Sequence, residues 1–166
     1  MKTKDFARKR MMFIQKEDYN FLIYNTLLIL DTLECNSESK QFSDFRKIAY
    51  LVDIISSSKN LNDLTQNELT SIYSKAQLKK KLLSHVLVVL KNNQMLGITL
   101  NRTRQTFDIW IKKENIPNGF LNELIFKKEK ENILQVKKSV GSLPKSTIKT
   151  MVEKLFTSKN IMTWEI

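Results

Sequence analysis

From Phe21 onward apolar residues recur every three or four positions, at Phe21, Tyr24, Leu27, Leu28 and then Leu30 or Asp31. That is the spacing of one buried helical face, and it predicts a first helix over about residues 18 to 35. Asn36-Ser37-Glu38-Ser39 reads as a polar connector. Ser43 suits the cap of a second helix whose Phe45, Ile48, Ala49, Val52 and Ile55 share a face, and Ser56-Ser57-Ser58 ends it. Thr65, three residues ahead of Glu68, predicts a capped short helix carrying Leu69, Ile72 and Tyr73. A clearer helix follows from Ala76 to about Asn92, with Leu78, Leu82, Leu83, Val86, Leu87 and Leu90 on one side.

After Asn92-Asn93 the period changes to two. Met95 to Leu100 and Thr106 to Ile111 read as strands joined by Asn101-Arg102-Thr103-Arg104-Gln105, a β-hairpin. Helices followed by a basic hairpin are in the order of a winged helix. Beyond Pro117, Phe120, Leu121, Leu124, Ile125 and Phe126 keep helical spacing, while Ile133, Leu134 and Val136 suggest a strand. Gly141 and Pro144 punctuate the chain before a last helix over Lys145 to Lys159 with Ile148, Met151, Val152, Leu155 and Phe156 inward, and a strand-like tail over Ile161 to Ile166. The predicted fold is mainly α with a small β-hairpin. It comprises a basic tail over residues 1–17, a winged-helix-like domain over 18–113 and an α/β C-terminal extension, chiefly helical, over 114–166.

Composition narrows the class. The 166 residues contain 42% hydrophobic residues, enough for a core, and 28 Lys+Arg against 17 Asp+Glu give a formal charge of +11. One cysteine, Cys35, excludes an internal disulfide, and with one histidine, His85, it cannot complete a four-ligand Cys/His zinc site. Three glycines exclude the clustered Gly loops that cradle nucleotides. No apolar run approaches a membrane span, and the first twenty residues lack a signal peptide's apolar stretch, so the chain is expected to be cytoplasmic, with no membrane partner. Arg8-Lys9-Arg10 is expected in a solvated tail.

The charge is concentrated. Lys75, Lys79, Lys80, Lys81, Lys91, Arg102, Arg104, Lys112 and Lys113 fall within residues 75 to 113, where Asp108 is the one acid. Such a patch on a helix and its adjoining wing attracts phosphates or an acidic partner, or serves solubility alone. The helix carries no Arg and only Gln77 and Asn92 as base-reading types, so sequence-independent contact with double-stranded DNA is expected over specific readout. Phe107 and Trp110 stack on unpaired bases in one reading and fill the hairpin core in the favoured one.

No catalytic constellation emerges. His85 sits mid-helix and is expected in or beside the core, and Cys35 is expected as a small buried hydrophobe with no base near it in sequence. Asp44, Asp53, Asp63 and Glu68 are scattered, whereas metal-assisted nucleases cluster carboxylates. A non-enzyme without metal or cofactor is the expectation.

Tyr24-Asn25-Thr26-Leu27-Leu28-Ile29-Leu30, then Arg46 through Ile55, then Leu78 through Leu96 resemble the middle components of ABC three-component systems, including the small subunit of Lamassu-type bacterial defence. The resemblance spans about residues 19 to 126, and Asn92-Asn93-Gln94 stands where members carry an Arg-Gly or Lys-Gly turn. It implies a winged-helix accessory subunit that sits with an SMC-like ABC ATPase dimer and an effector nuclease in a complex sensing phage or plasmid DNA. It further implies phosphate or acidic-surface contact by Lys79, Lys80, Lys81, Arg102 and Arg104, and docking of partner subunits by Phe120 and Phe156. Trp164 packs on the last helix or anchors a partner. The main alternative is a stand-alone winged-helix transcription or replication regulator, and a scaffold or inhibitor with a positive face is a third.

Overall fold

The centre of the molecule is a helix apolar nearly all round. In a computed structural model describing residues 19–121 and 124–164, α2 (Ile48–Ile55) buries every residue except Asp53, and a helix without a polar face must be covered on all sides. The cover comes from α1 (residues 19–32), α3 (Gln66–Asn92), α4 (Lys127–Val140) and α5 (Ile148–Leu155), whose apolar faces join one buried cluster with it. The protein is mainly helical, with one small antiparallel sheet. The expected basic tail over residues 1–17 lies outside the described residues.

Helix α3 begins where Thr65 predicts it. Its hydroxyl accepts from the Glu68 N–H at 3.2 Å, and the Glu68 carboxylate accepts from the Thr65 N–H at 2.8 Å, a complete capping box. The two helices read on either side of Lys75 are one, because Tyr73, Ala76, Leu83, Leu87 and Leu90 continue a single buried stripe and no Gly or Pro interrupts it.

The hairpin forms where it is expected, with its first strand shifted by one residue from Met95–Leu100 so that Asn101 joins the strand. β1 (Leu96–Asn101) pairs with β2 (Thr106–Ile111) in the register Leu96 to Ile111 through Asn101 to Thr106. Gly97 lies opposite Trp110, whose indole crosses it so closely that an added Cβ would fall 2.0 Å from the ring. Phe42, in the connector between α1 and α2, adds one isolated bridge to β2, its N–H donating to the Ile109 carbonyl at 2.7 Å and its carbonyl accepting from Ile109 at 3.0 Å.

Four expectations in the C-terminal part are corrected. Ile133, Leu134 and Val136 belong to α4, not a strand: Ile133, Val136 and Val140 step by three and four into the core while Leu134 faces outward. Gly141 then leaves the helix at φ +82°. Phe120, Leu121 and Leu124 to Phe126 form turns, although their spacing is helical. Helix α5 is shorter than Lys145 to Lys159, being capped by the Thr147 hydroxyl and followed by a 3-10 turn at Thr157–Lys159. Residues 161–164 pair with no strand. The buried Asn132 amide of α4 donates to the Ile55 and Ser57 carbonyls at 2.8 and 2.9 Å, satisfying orphan acceptors at the end of α2.

Candidate nucleic-acid interface

The hairpin loop is built by its own side chains. The side-chain Oδ1 of Asn101 accepts from the Arg104 N–H at 3.1 Å, closing the turn, and Gln105 takes a left-handed conformation at φ +50°. Arg102 is left exposed at the loop. Arg104 folds back, donating to the carbonyls of Ser146 at 3.5 Å and Lys145 at 3.4 Å, so its guanidinium ties the hairpin to the turn between α4 and α5.

The nine basic positions do not form one face. At about 100° per residue, Lys91 projects about 80° from Lys81, and Lys75 about 120° from Lys81 on its other side. All three are exposed. Lys79 is ion-paired with Asp53 of α2. Lys80 lies half-buried over the Tyr50 ring, 4.7 Å from its centroid, and donates to Gln77 at 3.2 Å; burial first, then the neighbouring Arg46, push its ammonium below the usual lysine range. Lys113 pairs with Asp31, and Lys112 is half-buried beside it. The cations presented most freely are therefore Lys75, Lys81, Lys91 and Arg102, while Lys79, Lys80 and Arg104 chiefly join elements of the fold.

A second polar cluster was missed at the sequence level. Lys47, just before α2, is fully buried, and its ammonium donates to the carbonyls of Leu143, Pro144 and Ser146 at 2.6, 3.2 and 2.8 Å. The Phe42 ring lies 4.3 Å from the same nitrogen. Burial pulls its pKa down from 10.5 to about 7; Asp44, Cys35 and Asp108 oppose the shift and Arg104 adds to it. Beside it, Asp44 holds a left-handed conformation at φ +61° and grips Arg46 through two bonds of 2.8 Å. Asp108 accepts from the Asp44 N–H at 2.9 Å, from Gln41 at 3.2 Å and from Asn101 at 3.1 Å. The available signal was Asp108 itself, a lone acid in an apolar strand of a basic region. The cluster is charge-matched and joins the connector before α2, the hairpin and the turn after α4.

The expected docking residues divide. Phe156 is fully buried between Tyr50 and Tyr73, with ring centroids at 6.1 and 5.3 Å, so the docking role expected of it is corrected to a core role. Phe120 is half-buried and stacks on Tyr24 at 4.3 Å. Trp164 is 57% exposed yet sets its edge on Tyr73 at 4.6 Å. Phe107 is exposed and leans on Phe45, while Trp110 is half-buried across Gly97.

His85 is corrected from core or boundary to the exposed side of α3, since the buried stripe passes through Leu83, Val86 and Leu87 around it. Cys35 is buried as expected, and burial pushes its thiol up to about 11, which keeps it protonated. Among the described residues no three His, Cys, Asp or Glu side chains are grouped to hold a metal ion, and no helix is long and apolar enough to cross a membrane.

Compared with family models, curated proteins and solved structures, the chain matches none. Separated lysines and a loop arginine suit attraction to a phosphate backbone, for which a point charge suffices, and α3 offers no side chain arranged for bidentate base reading among those cations.

Proposed function

We propose that this chain is a winged-helix, non-catalytic accessory subunit of a bacterial anti-phage or anti-plasmid defence complex, bridging an SMC-like ABC ATPase, an effector nuclease and double-stranded DNA. The observation that carries the winged-helix part is the order α1, Phe42 bridge, α2, α3, hairpin, with the bridge docked on β2 at Ile109. A helix followed by a hairpin that a preceding strand element reinforces supports reading α3 and the hairpin loop as one duplex-facing surface. The defence-system part rests on the sequence resemblance over residues 19 to 126.

In this reading Lys81, Lys91 and Arg102 meet phosphates, with Lys75 and Lys112 at the margins, and binding is weak, independent of sequence and steep in salt. The chain supplies contacts and its partners supply chemistry.

The test is affinity purification of the tagged full-length chain from its native host with neighbouring genes intact and nuclease added. Co-purification of an SMC-like ATPase with a nuclease is expected. A homodimer bound to one promoter replaces the proposal with the regulator, and recovery of an acidic protein alone replaces it with the scaffold.

A further inference from the structure

Helix α3 carries a second, largely apolar stripe that the described residues leave uncovered. Leu78, Leu82, His85 and Val89 follow spacings of four, three and four, so they line up on the side opposite the buried stripe. Leu78 is 68% exposed and Val89 43%, Leu82 is half-buried, and the line covers about 16 Å of helix. Leu78 and Leu82 also form one wall of a groove of about 530 Å³ whose other wall is Phe21 and Leu22 of α1. Three apolar residues over three turns, with His85 between Leu82 and Val89, match the spacing of the anchors of a helix laid against a helix.

Charge selects the occupant. No acid occurs between Glu68 and Asp108, and the exposed ammonium groups of Lys75 and Lys81 flank the stripe. Asp53, the one acid lining the groove, is paired with Lys79. A second copy would bring another +11 chain against this surface. Residues 1–18 of the same chain hold six Lys and Arg against three Asp and Glu, so they too carry the wrong sign. We infer that the α1–α3 groove and the outer stripe of α3 receive an amphipathic helix of a different protein, with Leu, Ile or Val at heptad spacing and Glu or Asp on its flanks. The surface reads a protein, and it shares Lys75 and Lys81 with the phosphate contacts proposed above, leaving Lys91, Arg102 and Lys112 outside it.

The test uses the full chain and two synthetic helical peptides with the same leucine heptads, one flanked by Glu and the other by Lys. In fluorescence anisotropy the Glu peptide is expected to bind at least about tenfold tighter than the Lys peptide, and L78D with L82D to reduce its affinity by about tenfold. K75E with K81E, which change exposed side chains only, are expected to reverse the preference. Equal binding of the two peptides, or no effect of the Lys variants, overturns the inference. In cells, a photo-crosslinker at position 78 is expected to capture an acidic, heptad-patterned segment of another protein. Adducts with residues 1–18, with a second copy or with a basic segment overturn it, as does the lack of any adduct.

Discussion

The ammonium of Lys47 lies 2.6 Å from the carbonyl oxygen of Leu143, ninety-six positions along the chain, and this contact fastens the entry to α2 to the turn after α4. Pro144 and Ser146 supply two further carbonyls, so three acceptors meet the three N–H bonds of an ammonium. Each carbonyl has another donor as well: Leu143 accepts from the Ser146 hydroxyl, Pro144 from the Ser43 N–H and Ser146 from Arg104. The turn is therefore cross-linked from several directions, and Lys47 is the only one of its donors that carries a titratable proton in the neutral range.

Lys47 makes stability depend on pH in a stated direction. Its folded pKa of about 7 lies below the ordinary 10.5, so between these values the unfolded chain binds the extra proton. The contribution of Lys47 is expected to become more favourable as pH rises through that window, by up to about 1.4 kcal/mol per pH unit. Cys35 acts oppositely only above pH 9, because its thiol is raised from 9.0 to about 11 and unfolding there releases its proton. Urea unfolding of the wild type and of K47M from pH 7 to 9 checks this. A stability difference that stays flat means that the three carbonyls hold the ammonium charged throughout.

Why this lysine escaped the sequence reading is physical. Its neighbours Phe45, Ile48 and Ala49 announce a buried face correctly, and a lysine beside them ordinarily snorkels to water. The acceptors that hold it inside come from residues 143 to 146, and no local pattern encodes a contact at that range. The same limit explains Phe156, whose apolar character was legible but whose two aromatic neighbours were not. By contrast the α3 cap and the hairpin were legible, since a capping box and alternating strands are written within a few residues. The lysine cluster was legible as charge, but the helix angle and the partners Asp53 and Tyr50 decide which members face water.

Asp108 holds the hairpin to the connector before α2, and its removal is expected to cost about 2–4 kcal/mol. D108A leaves the buried Asp44 N–H and the Asn101 amide without their acceptor, while D108N retains one acceptor oxygen and is expected to lose less. Chemical denaturation of the two variants ranks them. Equal loss in both would assign the effect to charge and not to the hydrogen bonds.

Gly97 is required by Trp110. G97A places a methyl group where the indole already lies, and overpacking of this kind is expected to cost about 1–3 kcal/mol, with a shift in tryptophan emission as the ring is displaced. Adding W110A should recover much of the G97A loss relative to W110A alone. Full additivity of the two substitutions in denaturation experiments would contradict the contact.

Gln94 sits at φ +57°, two positions past the end of α3. A side chain in the left-handed region strains the backbone, and its relief outweighs glycine's larger entropy loss at such a site. Q94G is accordingly expected to raise stability by about 0.5–1 kcal/mol, since the Asn115 amide bonds the Gln94 backbone carbonyl and is unaffected by the change. A lower melting temperature for Q94G would show that the glutamine side chain contributes more than its strain.

The basic positions separate into two groups by what each already touches. Lys81, Lys91 and Arg102 are exposed, whereas Lys79 is paired with Asp53 and Lys80 lies against Tyr50 and Gln77. If phosphates are met by the exposed group, the triple change K81A, K91A and R102A lowers the slope of log affinity for duplex DNA against log salt by about 2–3. Thermal stability should change little, because these side chains project into solvent. The pair K79A and K80A is expected to do the reverse, lowering stability by about 1 kcal/mol through the Asp53 pair and the Tyr50 face while leaving the salt slope nearly constant. Equal slopes in all three proteins would remove the hairpin and α3 from the DNA contact, and a larger slope change in the Lys79 and Lys80 variant would mean that their internal partners release them when DNA binds.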